Sequence, residues 1–283
     1  MTSVGQLPNL LIIGAGKSGT TSLHRYLDVH PSIFMARAKE LQLFNRHDWR
    51  ERLDWYRAQF PTSAPVRGES STAYTMAPCW PSVPERVKAA IPDARLIYLV
   101  RDPIERLVAQ YVEFYTAGIE RRSLGDTLAD FDSPSNLIVM SSRFAYQLDR
   151  YREFFDDSQI LVLEQRELLD SRTATLRDAF KFLGVAPDFT SPEFDRLHNE
   201  RAEKVRIKRL GTWVQGLGLL QSARDATRRL PSRVRKPLRK LVVGPARTPP
   251  LAPGLRAELE AYLCEDAQRL RAYTGKAFAH WSV

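Results

Sequence analysis

One lysine and four hydroxyls crowd the glycine turn Gly14-Ala15-Gly16-Lys17-Ser18-Gly19-Thr20-Thr21-Ser22. An apolar run, Leu10 to Ile13, leads into it, and Leu23-His24-Arg25-Tyr26-Leu27 continues it as a helix. A strand that empties through a glycine turn into a helix aims backbone N–H groups and a positive dipole end at an anion. Glycines let the backbone approach that anion closely, and hydroxyls add donors. The segment is therefore expected to cradle a phosphate. Gly16 and Gly19 would shape the turn, and Lys17 would supply the charge. The backbone of 18–21, with the hydroxyls of Thr20, Thr21 and Ser22, would supply hydrogen bonds.

The turn departs from the nucleotide-triphosphate loop G-x-x-x-x-G-K-S/T. Counted from Gly14, the lysine position holds Thr20; counted back from Gly16-Lys17-Ser18, the first glycine position holds Leu11. A magnesium-dependent kinase also needs an acidic metal ligand at the end of a later strand. The clearest later strand, Leu96-Ile97-Tyr98-Leu99-Val100, runs into Arg101 before Asp102. The expectation is an anion held by protein cations with no metal, and an ATP-dependent small-molecule kinase is the alternative. Arg101 can grip a second anion bidentately. Lys39-Glu40 offers a carboxylate for general base work beside a cation, with Glu69 in reserve.

These residues need a frame that brings them to one edge. Residues 9–13, 33–35, 66–70, 95–100 and 160–163 read as strands, and 20–29, 84–91, 141–155, 173–183 and 255–273 as helices. Asp102-Pro103 reads as a helix cap followed by a first-turn proline, with the helix running to about Ala117. Gly184 and Gly275 read as helix stops. Residues 126–135 read as a loop with a short helix, and the stretch 187–253 is less regular. Alternation of strand and helix predicts an α/β fold: one domain over 1–283, with a central parallel sheet flanked by helices. Ligands in such sheets bind beyond the carboxyl ends of strands, which groups the 14–22 turn, Arg101 and the Glu69 turn on one rim.

Composition is ordinary for a soluble globular protein. Hydrophobic residues make up 43% and charged residues 27% of the 283 residues. No apolar run reaches the roughly 20 residues that span a bilayer, and Met1 to Pro8 lacks the pattern of a secretory signal. Cys79 and Cys264 suggest neither a disulfide framework nor a zinc site, so the cytoplasm is the expected compartment. The net charge of +9 is concentrated between Arg201 and Lys240, where thirteen Lys/Arg face two acids. That segment predicts peripheral contact with an anionic membrane or another polyanion. Nucleic acid is not expected, since no recognition motif is present.

Taken together, these motifs resemble the sulfotransferases that use 3′-phosphoadenylyl sulfate (PAPS), in particular their glycan-modifying branch. Gly14 to Leu23 is similar to the 5′-phosphosulfate loop of that family, and Leu96 to Arg106 to its 3′-phosphate segment with R-D-P-x-x-R. Lys39-Glu40-Leu41-Gln42-Leu43-Phe44 resembles K-E-x-x-F-F, whose glutamate is the base. Gly68-Glu69-Ser70-Ser71-Thr72-Ala73-Tyr74 resembles G-E-x-S/T-P-x-Y, and Phe182-Leu183-Gly184-Val185 the F-L-G-V element. The resemblance implies sulfuryl transfer to a hydroxyl or amine of a carbohydrate, glycolipid or small metabolite. In that reading Lys17 and Glu40 are catalytic and Arg101 holds the 3′-phosphate. A basic loop carrying Arg201, Lys204 and Arg206 closes over the nucleotide. Two departures stand out: Ala109 replaces a serine that usually follows Arg101 by eight residues, and Thr72 replaces the proline.

Overall fold

Along β1 (Leu10–Gly14) every residue is buried, so its two faces must be covered by different layers. Leu11 and Ile13 pack with Leu96, Tyr98, Phe144 and Tyr151 on one side. Leu10 and Ile12 pack with Leu23, Leu27, Ile97 and Phe180 on the other. This is the two-sided burial that a parallel sheet imposes on its central strands. The structure, a computed structural model, describes residues 5–196, 205–207, 243–245 and 249–283.

Four further strands, β2 (Ile33–Met35), β3 (Val66–Ser70), β4 (Arg95–Val100) and β5 (Ile160–Glu164), complete the sheet. The order is β2-β3-β1-β4-β5 and all pairings are parallel. The helices are α1 (Thr20–Asp28), α2 (Leu53–Arg57), α3 (Val83–Ala90), α4 (Pro103–Ala117), α5 (Leu124–Leu128), α6 (Leu137–Met140), α7 (Phe144–Arg152), α8 (Gln165–Asp170), α9 (Arg172–Leu183) and α10 (Pro253–Thr274). A third apolar cluster joins Ile104, Leu107 and Tyr111 of α4 to α5, α6 and Leu259 and Leu263 of α10. Val205–Ile207 (β6) and Val243–Pro245 (β7) form a separate antiparallel pair. Among the described residues no helix is long and apolar enough to cross a membrane.

The α/β fold with a central parallel sheet is as the strand pattern predicts. Local signals worked where they were strong. Asp102 caps α4, its Oδ1 accepting from the Glu105 amide at 2.7 Å. Gly184 and Gly275 end α9 and α10 in left-handed conformations. The 141–155 stretch is shorter than expected, because α7 begins at Phe144. Its start is set from elsewhere: the buried Asp266 of α10 accepts from the amides of Ala145 and Tyr146, both at 2.9 Å. The 126–135 region takes in the end of α5 and the loop that follows it, and α6 begins just beyond, capped by Asn136.

Chain order reverses at β1, which has β3 on one side and β4 on the other. The crevice beyond the carboxyl ends of β1 and β4 is thus the topological switch point where α/β sheets bind ligands.

Candidate active site

The turn after β1 occupies that crevice. The Ala15 amide donates to the Leu99 carbonyl at 2.7 Å, stitching the turn to the end of β4. Close packing demands glycine at position 14, where a Cβ would lie 2.0 Å from Thr75 Oγ1. At Gly19 the demand is conformational, since φ is +95° at the residue preceding α1. The N–H groups of the first α1 turn project into the space ahead of the helix. The amide of Ser18 is not among the available donors, because it is spent on the Ala15 carbonyl at 3.2 Å. The Ser22 amide likewise donates to the Gly19 carbonyl at 3.0 Å. The expectation of a continuous row of amides from 18 to 21 is corrected to that extent: the turn closes on itself at Ser18. Ser18 Oγ, fully buried, has no hydrogen-bond partner among the described residues.

Lys17, Lys39 and Arg101 border the cradle. Lys17 Nζ pairs with Glu113 Oε2 of α4 at 2.5 Å. Lys39 Nζ donates to Thr21 Oγ1 at 2.8 Å and to Thr20 Oγ1 at 3.4 Å. Burial, opposed by the neighbouring Glu40, brings the Lys39 ammonium down to about 8. Arg101, buried at the end of β4, donates from Nη1 to the Lys17 carbonyl at 3.1 Å and pairs with Glu105. One hydrogen bond therefore joins the two cationic positions singled out from sequence. Arg106 plays a different part. It is fully buried and donates to the carbonyls of Gly16 (3.1 Å) and Ile138 (2.7 Å), to Ser142 Oγ (3.1 Å) and to Gln110 Oε1 (3.1 Å). Burial brings its guanidinium down to about 10. It fastens the turn to α4 and α6.

The two carboxylates have unlike surroundings. Glu40 is half-buried and follows β2 with φ +59°. Its amide donates to the Ser70 carbonyl at 2.8 Å, which sets its side chain beside the loop after β3. There the Thr72 amide donates to Oε2 at 2.8 Å. Glu69 is fully buried and accepts from Tyr56 Oη and Tyr74 Oη, both at 2.7 Å, and from Ser71 Oγ at 2.8 Å. Burial pushes its carboxyl up, against the pull of those three hydrogen bonds. Glu69 is a core anchor, and the expectation of a reserve base there is corrected: no acceptor could reach it without dismantling the tyrosine pair. Tyr74 and Trp49 are core residues as well.

Residues that sequence reasoning passed over also line the site. His24 of α1 shares a hydrogen bond with Ser70 Oγ at 2.8 Å. Burial and the Lys39 charge bring its imidazole down to about 4, so it is neutral at physiological pH. Glu113 carries no signal in the sequence, since its partner Lys17 is 96 positions away. Of the proposed nucleotide loop, Arg201 and Lys204 lie outside the described residues, and for Arg206 only the β6 backbone is described. The basic segment from 208 to 240 also lies outside them. Among the described residues no three His, Cys, Asp or Glu side chains cluster as metal ligands.

A model of the sulfotransferase domain family matches residues 7–206, more than two thirds of the chain and every element of the cradle. The chain belongs to the sulfotransferase domain family. It is 28% identical over 207 residues to human bifunctional heparan sulfate N-deacetylase/N-sulfotransferase 3, covering 66% of this chain and 23% of that protein. Against the bifunctional heparan sulfate N-deacetylase/N-sulfotransferase 1 of Caenorhabditis elegans it is 25% identical over 215 residues, covering 71% of this chain and 25% of the relative. The chain thus spans about a quarter of the length of these curated relatives. A crystal structure of a sulfotransferase from Alicyclobacillus acidocaldarius superposes with a TM-score of 0.69 at 23% identity, covering 98% of this chain and all of that one. The likeness to that structure is one of fold, and the family is one of transferase enzymes.

Proposed function

We propose that this protein moves a sulfuryl group from PAPS to a hydroxyl or amine of a carbohydrate, glycolipid or small metabolite. The observation that carries this reading is the hydrogen bond from Arg101 to the Lys17 carbonyl at 3.1 Å. It couples two cationic positions at one sheet edge, as a donor with two separated phosphates requires. The residues fit such a donor. Ser18 Oγ is a buried polar atom without a partner among the described residues, and the hydroxyls of Thr20 and Thr21 and the Lys39 ammonium gather at the same turn.

When bound, PAPS supplies a sulfuryl group on a good leaving phosphate. An acceptor oxygen or nitrogen bonds to sulfur as the bond from sulfur to the phosphate oxygen breaks, releasing adenosine 3′,5′-bisphosphate. The residues of this chain contribute position and charge, which lower the barrier most in such transfers. Lys17 neutralises charge gathering on the leaving oxygen. The first turn of α1 and its hydroxyls hold the 5′-phosphate, and Arg101 the 3′-phosphate. Glu40 takes the acceptor proton, a contribution of ~10²–10⁴-fold for general bases. The named activity of the mammalian relatives, on heparan sulfate, supports a carbohydrate acceptor.

Incubation with radiolabelled PAPS and a panel of glycans, glycolipids and small alcohols tests the reading. Label should pass to an acceptor with the wild type and be lost with Lys17→Ala. Transfer from labelled ATP instead, in the presence of magnesium, would establish the kinase alternative.

A further inference from the structure

Thr72 stands where the resembling glycan-modifying motif has proline, and the geometry gives that difference a consequence. A proline has no amide hydrogen. Here the Thr72 amide donates to Glu40 Oε2 at 2.8 Å, and Thr72 Oγ1 lies 3.2 and 3.3 Å from the two carboxylate oxygens. The same side chain borders the phosphate cradle, since a Cβ built on Gly16 would lie 3.7 Å from Thr72 Cβ and Oγ1. Thr72 is thus interposed between the carboxylate and the turn that carries Lys17. The backbone supports the arrangement from both ends. Glu40 holds a positive φ of 59° and is tied by its amide to Ser70, two residues before Thr72.

We infer that Thr72 is a positioning residue for Glu40, fixing its carboxylate against the sulfuryl-binding turn through two hydrogen bonds. The inference rests on the reading of Glu40 as the base. A carboxylate on a flexible side chain has several rotamers and loses rate when the wrong ones are populated. Two donors from a single residue, one from the backbone and one from the side chain, define both the position of the carboxylate and the plane of its oxygens. Thr72 engages only part of the lone-pair capacity of the two oxygens, which leaves the remainder to receive the acceptor proton. Nothing in this role requires Thr72 to touch the donor or the acceptor.

The test is a double-mutant cycle with Thr72→Val, Thr72→Ser and Glu40→Gln, read by initial rates and by calorimetry with adenosine 3′,5′-bisphosphate. Thr72→Val keeps the shape and the amide but removes the hydroxyl, and should lower kcat by roughly 10-fold, within the range that small misplacements produce. Its KM for PAPS and its affinity for the bisphosphate should stay within about twofold of the wild type, as expected where the effect passes through Glu40 rather than through donor binding. Thr72→Ser should recover most of the lost rate. In the Glu40→Gln background, Thr72→Val should cost nothing further, because its effect passes through that carboxylate. An additive loss in the double variant, an unchanged kcat in Thr72→Val, or a loss of bisphosphate affinity matching the loss of rate would each overturn the inference. If Glu40→Gln alone leaves turnover intact, the base assignment itself fails, which is a separate outcome from the failure of Thr72.

Discussion

At the scale of single residues, the site divides its labour between charges that face the crevice and charges that hold the scaffold. On the proposed function Lys17 and Glu40 belong to the first group, and they should separate kinetically. Lys17→Ala should abolish most turnover, whereas Glu40→Gln should lower kcat with bisphosphate affinity nearly intact; equal losses of affinity in both would contradict the roles given to them. Lys39 provides a pH signature. Its ammonium, brought down to about 8 by burial, is charged below that pH and neutral above it. Affinity for adenosine 3′,5′-bisphosphate should therefore be highest below pH 8, weaken as pH rises through about 8, and lose this dependence in Lys39→Arg, as calorimetry across the range would read. The Lys17–Glu113 pair makes a third prediction. Its carboxylate is nearly half exposed, at 48%. Exposed ion pairs are worth little, so Glu113→Gln should free Lys17 and tighten bisphosphate binding by about two- to fivefold. Weaker binding would show that Glu113 contributes to the bound state.

At the scale of elements, the motifs that read well were those whose signals are local. The apolar run of β1, the Asp102-Pro103 start of α4 and the glycine stops of α9 and α10 each depend on neighbours within a few residues. Lys17 and Arg101 could be assigned to one rim because parallel-sheet topology alone forces strand ends together. What could not be read depends on partners far along the chain. The α7 cap comes from Asp266 of α10, and the partner of Lys17 is Glu113 of α4. Arg106 shows the same division: its place one turn into α4 was legible, but its four acceptors were not. Those acceptors predict its importance. Arg106→Met leaves buried carbonyls of Gly16 and Ile138 unpaired, and should destabilise the fold by roughly 2–4 kcal/mol, seen as a lower urea midpoint. An unchanged midpoint would mean that the turn is held in place without it.

At the scale of the whole molecule, the arrangement is one sheet with its ligand edge at the reversal of strand order. Among the described residues, apolar clusters hold it on each sheet face and beneath α4. Because Asp102 caps the helix that carries Arg106, α4 links the cradle to the core, while Asp102 also accepts from the Ser282 amide at 2.5 Å. The end of the chain is thus fastened to the same strand end that presents Arg101. The net charge of +9 suits anionic ligands in general, and the thirteen basic residues of 201–240 account for much of it. Selectivity for a particular anion must come from the rim, where the cations are paired and oriented.

On the proposed function, this rim holds an adenosine carrying phosphates at both the 3′ and 5′ positions. Calorimetric titration of adenosine 3′,5′-bisphosphate into the wild-type protein and Arg101→Ala, in the presence of a chelator, tests it most directly. Metal-independent, saturable binding that is roughly tenfold or more weaker in Arg101→Ala, with little affinity for adenosine 5′-monophosphate in either protein, is the predicted result. Equal binding of the mono- and bisphosphate, indifferent to Arg101, would contradict it.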